Sequence, residues 1–263
     1  MLLAGLLCCA AVKTQVSDGK CEMVHASAYP PSLDPLPTGE AKKVEMHILS
    51  LDDPPKKRWP QIVAQHRAGI HKLVSLIVDV AVKVVGKDTF NKALSDLEAR
   101  LPDFYAAMPD PQYGEEIKSI AHAVGLREPL IYIYNIFYTV FGACTSIVAQ
   151  DDHGDIFHAR NLDFGLWPAF NFSDGNFWEM TAALRPIVIS VDVQRGGASL
   201  YKMTTFAGFI GVHSAMKPNA FALSIDTRFD SHYDAGLLRY LLAPKLDGGF
   251  EITMATRRCA AAW

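Results

Sequence analysis

The stretch Cys144 to Gly165, CTSIVAQDDHGDIFHARNLDFG, decides how this chain is read. An apolar, aromatic-rich run, IYIYNIFYTVFGA from Ile131 to Ala143, leads straight into Cys144. Thr145 to Ala149 and Ile156 to Ala159 are apolar and rich in β-branched residues, and Asp151, Asp152, His153 and Gly154 between them supply turn chemistry. A hairpin with those four residues as its loop pairs Gln150 with Asp155 and sets Cys144 opposite Asn161. Arg160 and Asp163 then return to the neighbourhood of the sulfur.

A cysteine beside a cation and a carboxylate suits thiol chemistry, because the thiolate is the nucleophile and nearby positive charge favours it. Spacing alone leaves a second reading open: free cysteine is among the most buried residue types, so Cys144 is equally a core residue of a strand. On that reading Arg160 is a surface ion pair and Asp163 caps a turn.

The run CTSIVAQD, followed by IFHARNLDFG, resembles the segment that opens the β subunit of acid ceramidases and of N-acylethanolamine acid amidases, N-terminal-nucleophile hydrolases of the cholylglycine hydrolase kind. The likeness continues upstream in YPPS (Tyr29 to Ser32), LDDPPKKRW (Leu51 to Trp59) and NIFY (Asn135 to Tyr138). Downstream it continues in TTFAGFIGVHSAMKPNAFALSIDTRF (Thr204 to Phe229), so it runs from Tyr29 to about Leu242 and leans toward the ceramidase branch. The resemblance implies a precursor cut at Ala143–Cys144, with an α subunit over 21–143 and a β subunit over 144–263 as mutual partners. Cys144, Arg160 and Asp163 would be catalytic. It also implies a layered αββα fold and cleavage of the N-acyl amide of ceramide to sphingosine and a fatty acid. Within that family the alternative substrate is an N-acylethanolamine, and outside catalysis the alternative is a protein that keeps lipid contact or subunit packing without turnover.

Two departures temper the resemblance. Family members continue beyond the position matching Trp263, with an oxyanion-binding asparagine and a further arginine there, so the C-terminal part of the fold is expected to be missing here. At Asp226-Thr227-Arg228 relatives usually carry a glutamate in the middle position. Cys21 resembles the first cysteine of a family disulfide, and Cys259 is a conceivable partner for it; the sequence does not fix the pairing.

The composition fits an enzyme with a large core. The chain has 263 residues, 50% of them hydrophobic, and a net charge of −3, which implies no attraction to nucleic acid. Lys56 to Arg58 lies beside Asp52, Asp53, Pro54 and Pro55 and reads as a solvated turn. Leu2 to Val12 is an apolar run of signal-peptide length, giving 1–20 as a leader that also holds Cys8 and Cys9. With the sequon Asn171-Phe172-Ser173, it points to a lysosomal or secreted protein.

Helical spacing of Ile62, Val63, His66, Ile70, Leu73, Val74, Ile77, Val80, Ala81 and Val84 predicts one helix over Trp59 to Val85. A second is predicted over Asp88 to Leu101, then a proline-rich break to Pro111 and a helix from Gly114 to Val124. Strands are predicted over Ile187 to Val193, Leu200 to Phe206, Gly208 to Val212 and Ala220 to Ile225. Helices followed by antiparallel strands make an α+β protein. The first helix packs in the core or makes transient contact with a membrane surface, and Trp167, Phe170, Phe172, Phe177 and Trp178 wall an acyl channel or fill the core. His66 and His71 lie five apart, on different helical faces, so spacing indicates neither a metal site nor a cofactor. There is no Gly-x-Ser-x-Gly elbow around Ser214, and a cysteine-histidine pair would need His158 or His213 to reach Cys144.

Overall fold

The computed structural model describes residues 16–17, 20–21, 44–108, 110–164, 179–226 and 252–262. The chain divides into a unit over Met1–Ala41 and one over Lys42–Trp263. Of the first, the described part is an antiparallel pairing of β1 (Val16–Ser17) with β2 (Lys20–Cys21). The remainder of the expected leader, Cys8 and Cys9 included, lies outside the described residues, as do the sequon and the aromatic residues between Trp167 and Trp178.

The second unit's first described element is β3 (Met46–Ser50), which precedes every described helix. Six helices follow: α1 (Pro55–Arg58), α2 (Pro60–Gln65), α3 (Arg67–Val85), α4 (Lys87–Ala106), α5 (Gln112–Val124) and α6 (Glu128–Phe141). Pro55 and Pro60 occupy first helical positions, where a missing N–H costs nothing. The helix expected over Trp59 to Val85 is interrupted at His66, whose φ of −105° and ψ of 11° separate α2 from α3. Ile70, Leu73, Val74 and Ile77 of α3 are buried as its periodicity requires, but Val84 is 60% exposed.

The break expected at Pro102 is absent, because α4 runs through it to Ala106. An interior proline costs about 3 kcal/mol. Beyond it the helix buries Phe104 and Tyr105, and Leu101 just before it; burying each such side chain contributes about 1.5–3 kcal/mol, enough to carry the last turn past the proline. At the end of α5, Gly125 takes a φ of +71°. Its N–H reaches His122 and that of Leu126 reaches the Ala121 carbonyl, closing the helix in a Schellman arrangement.

After the helices come the hairpin of β4 (Gly142–Gln150) and β5 (Ile156–Phe164), then α7 (Glu179–Leu184) and a 3₁₀ turn over Arg185–Ile187. The strands β6 (Val188–Arg195), β7 (Ala198–Phe206), β8 (Ser214–Lys217) and β9 (Phe221–Ser224) follow, and α8 (Ile252–Ala262) is the last described element. The main sheet has the order β3-β6-β7-β8-β9. Its last four strands are antiparallel, but β3 pairs parallel with β6, so the sheet is mixed and its edge strand comes from before the helices. The α+β class stands. Alternate residues Ile189, Val191, Val193, Tyr201 and Met203 turn one sheet face into the core that the helices share.

Gly208 to Val212 is not the expected strand. Its apolar residues are fully buried, yet Gly208 has a φ of +84° and the segment turns between β7 and β8. Two of its backbone groups are instead satisfied by α6. Asn135 donates from Nδ2 to the Gly208 carbonyl at 3.0 Å and accepts the Ile210 N–H at Oδ1 at 2.8 Å. The Tyr134 hydroxyl donates to the Ala207 carbonyl at 2.9 Å.

The basic run at Lys56 to Arg58 is not a solvated turn at Arg58. Its guanidinium donates to Glu116 Oε1 at 2.8 Å and to the Leu51 carbonyl at 2.9 Å. Glu116 is fully buried and also accepts hydrogen bonds from Trp59 Nε1, at 2.7 Å, and from Arg257 of α8. Arg257 in turn lies over the Tyr113 ring, 4.9 Å from its centroid.

Candidate active site

The helix α6 passes into β4 with no intervening loop, Phe141 ending one element and Gly142 starting the next. In the hairpin Gln150 pairs with Ile156 and Cys144 with Leu162, one residue away from the expected register. Asp155 belongs to a five-residue loop. The Asp151 carboxylate accepts the N–H groups of His153 and Asp155, each at 2.9 Å, and Gly154 takes a φ of +88°. This Asx-type closure consumes the residue that a four-residue loop would have left in the ladder.

That difference of one residue decides the chemistry, because a unit slip moves every side chain of a strand to the other face. Opposite Asn161, Cys144 would have had Arg160 on the far side of the hairpin. Opposite Leu162, it shares a face with the Ser146 and Arg160 pair. Arg160 Nη2 donates to Cys144 Sγ at 2.9 Å and to the Ile225 carbonyl at 2.8 Å. Its Nε lies 3.8 Å from the Asp226 carboxylate. The Arg160 side chain is about nine-tenths buried, so these contacts operate with little competition from water. Asp163 holds a backbone position opposite Ala143, while its side chain lies outside the described part of the chain.

A polar cluster that the sequence did not announce adjoins the pair. Ser146 Oγ bonds Ser224 Oγ at 2.6 Å and donates to Asp226 at 2.9 Å, and His158 Nε2 contacts Ser224 Oγ at 3.1 Å. The signal was partly present in the alternation Cys144, Ser146 and His158, Arg160, but Ser224 and Asp226 come from β9 and its exit. Thr227 and Arg228 lie outside the described residues. His158 pairs with Val148, four residues along β4 from Cys144, and its hydrogen bond goes to Ser224.

A cavity of about 240 Å³ opens beside Arg160, lined also by Leu162, Leu184, Val188, Phe206 and His213. His213 stacks on Phe209 at 4.1 Å between centroids. Burial first, and the nearby Arg160 charge second, hold its imidazole pKa well below the ordinary range, so it faces the site as a neutral ring. Of the remaining thiols, Cys259 is free and exposed on α8, and the Cys21 side chain lies outside the described residues.

Fold and site together define an α+β protein built around a guanidinium-bound thiol at the head of a hairpin. Residues 42–101 match the family model described as the beta subunit of N-acylethanolamine-hydrolyzing acid amidase, a match that lies on β3 and the first helices, before Cys144. The chain is 34% identical to acid ceramidase of Mus musculus over 225 residues, covering 85% of this chain and 55% of the relative. It is 32% identical to that of Heterocephalus glaber and 31% identical to that of Homo sapiens, each over 246 residues, 93% of this chain and 60% of the relative. Over most of its length the chain is similar to the acid ceramidases. It spans somewhat more than half the length of these relatives.

Proposed function

We propose that this chain is the Cys144-bearing part of an amidohydrolase that cleaves the N-acyl bond of ceramide to sphingosine and a fatty acid. The contact of Arg160 Nη2 with Cys144 Sγ at 2.9 Å, at the edge of a largely apolar cavity, carries the reading. The layered αββα architecture of N-terminal-nucleophile hydrolases and a lysosomal or secreted setting belong to the same proposal. Among the described residues no helix is long and apolar enough to cross a membrane.

Maturation begins with Sγ of Cys144 attacking the carbonyl carbon of Ala143. A C–S bond forms, the C–N bond breaks, and the thiol proton passes to the departing nitrogen, which becomes the α-amine of Cys144. Water then hydrolyses the thioester, regenerating the thiol and leaving Ala143 with a carboxylate. Thereafter the amine, whose ordinary pKa is about 7.7–8.0, can accept the thiol proton while the sulfur attacks the substrate amide. The acyl group transfers to sulfur, the proton passes to the leaving amine of the sphingoid base, and water releases the fatty acid. Arg160 stabilises negative charge on the sulfur, and Asp163 orients the α-amine.

Intact-mass analysis of the expressed chain tests the first half, with two fragments expected that meet at Ala143–Cys144, and a single uncut mass for Cys144→Ala. A wild-type chain that stays whole under conditions in which it is folded removes the proposal. The second reading, hydrolysis of N-acylethanolamines, is favoured by the description of the matching family model. Assaying the two lipids side by side separates the two.

A further inference from the structure

We propose that Glu45, His47 and His66 form a binding site for a late first-row divalent cation, zinc foremost, that clips the edge strand β3 to the junction of α2 and α3. Their ligand atoms all lie within 4.8 Å of one another. One Glu45 carboxylate oxygen is 3.6 Å from His47 Nε2, and the other is 3.9 Å from His66 Nε2. These separations are too long for hydrogen bonds. Two ligand atoms each about 2.0–2.1 Å from zinc stand roughly 3.3 Å apart at a tetrahedral angle, so modest side-chain movement would bring them onto one ion.

The two imidazoles point to a ligand independently of the carboxylate. The His47 side chain is only 10% exposed and that of His66 only 13%. Both Nε2 atoms are buried and have no hydrogen-bond partner, an arrangement that costs free energy unless a ligand satisfies them. Both backbones are fixed, so only side-chain rotation is needed to bring the rings onto one ion. His47 sits in register with Val191 of β6, and the N–H of His66 donates to the Val63 carbonyl at 3.1 Å.

Two imidazoles and one carboxylate suit zinc and its neighbours rather than calcium or magnesium. Glu45 is the exposed member and marks the side from which the ion enters, leaving a fourth position to water. Spacing along the sequence could not reveal the group, since its members come from a strand and from a helix junction nineteen residues apart, His47 to His66.

Isothermal titration of zinc chloride into the full chain, with cobalt(II) absorption as a second probe, tests the site. The expected result is one ion per chain, a cobalt spectrum with tetrahedral bands and no thiolate charge transfer, and a raised melting temperature with zinc. Glu45→Gln, which alters an exposed carboxylate and leaves the fold undisturbed, is expected to weaken binding at least about 10-fold, and His66→Gln more. Absence of saturable one-to-one binding overturns the proposal. So does a thiolate spectrum, or an affinity that Glu45→Gln leaves unchanged.

Discussion

Arg160 spends one Nη2 atom on two acceptors, the sulfur of Cys144 at 2.9 Å and the backbone carbonyl of Ile225 at 2.8 Å. The second bond ties the cation to the exit of β9, so the position of the charge beside the thiol is set by the sheet. Lysine carries the charge, but on a flexible stem without the rigid guanidinium plane that holds Nη2 between the two acceptors. Arg160→Gln is therefore expected to slow fragment formation at Ala143–Cys144 by about 10²- to 10³-fold, the usual cost of losing one preorganised donor. Arg160→Lys is expected to fall between that variant and wild type. A mass-spectrometric time course checks both, and a glutamine variant that matures at the wild-type rate would remove Arg160 from the reaction.

His213 links the site to pH. Its folded pKa lies well below the ordinary 6.5, because burial and then Arg160 oppose the charged form. The unfolded chain takes up this proton as pH falls below about 6.5 while the folded chain does not, so the folded state loses stability progressively until the folded pKa is reached. Unfolding free energy is expected to drop by up to about 1.4 kcal/mol per pH unit over that window through this residue. The shift of His66, lowered chiefly by burial and partly opposed by Glu45, has the same sign. His213→Phe keeps the stacking on Phe209 and should flatten the slope, as urea titrations between pH 7 and pH 5 will read. An unchanged slope would mean that other groups carry the acid sensitivity.

Asn135 takes the place of a strand partner for the turn after β7. Asn135→Ala leaves the Ile210 N–H and the Gly208 carbonyl buried without the side chain that satisfied them. At about 1–3 kcal/mol for each such group, a loss of about 2–6 kcal/mol is expected in chemical denaturation. A loss under about 0.5 kcal/mol would show that the turn finds other partners.

The single carboxylate of Glu116 pairs with two guanidinium groups, from α1 and from α8. Glu116→Gln keeps the shape and removes the charge, leaving Arg58 and Arg257 uncompensated in a buried setting. The expected cost is about 3–5 kcal/mol, with α8 released first. Hydrogen exchange across Ile252–Ala262, measured beside global unfolding, distinguishes local release from general weakening.

Local signals in the sequence were reliable where local physics decided the outcome. The hairpin at Cys144, the helix ending at Gly125 and the strands β6, β7 and β9 follow from alternation and turn residues, whereas β8 (Ser214–Lys217) was not expected. What could not be read depends on distant partners. Arg58 looks solvated until Glu116, fifty-eight positions away, is seen beneath it. Gly208 to Val212 has the composition of a buried strand, and distant partners, the amide of Asn135 among them, hold it as a turn. β3 was invisible because a single short edge strand needs its parallel neighbour β6 to exist at all. In the site itself, the Cys144 and Arg160 pairing was legible as proximity, but the face they share depended on whether Asp155 belongs to loop or ladder. That choice rests on two hydrogen bonds to the Asp151 carboxylate.

The direct passage from α6 into β4 has a mechanical corollary. With no slack between helix and strand, a chain severed at Ala143–Cys144 would give up only Gly142 and Ala143 from the hairpin ladder. The new terminus would stay moored by Leu162 across the ladder and by the guanidinium, so the scission would create a reactive end already standing at its post.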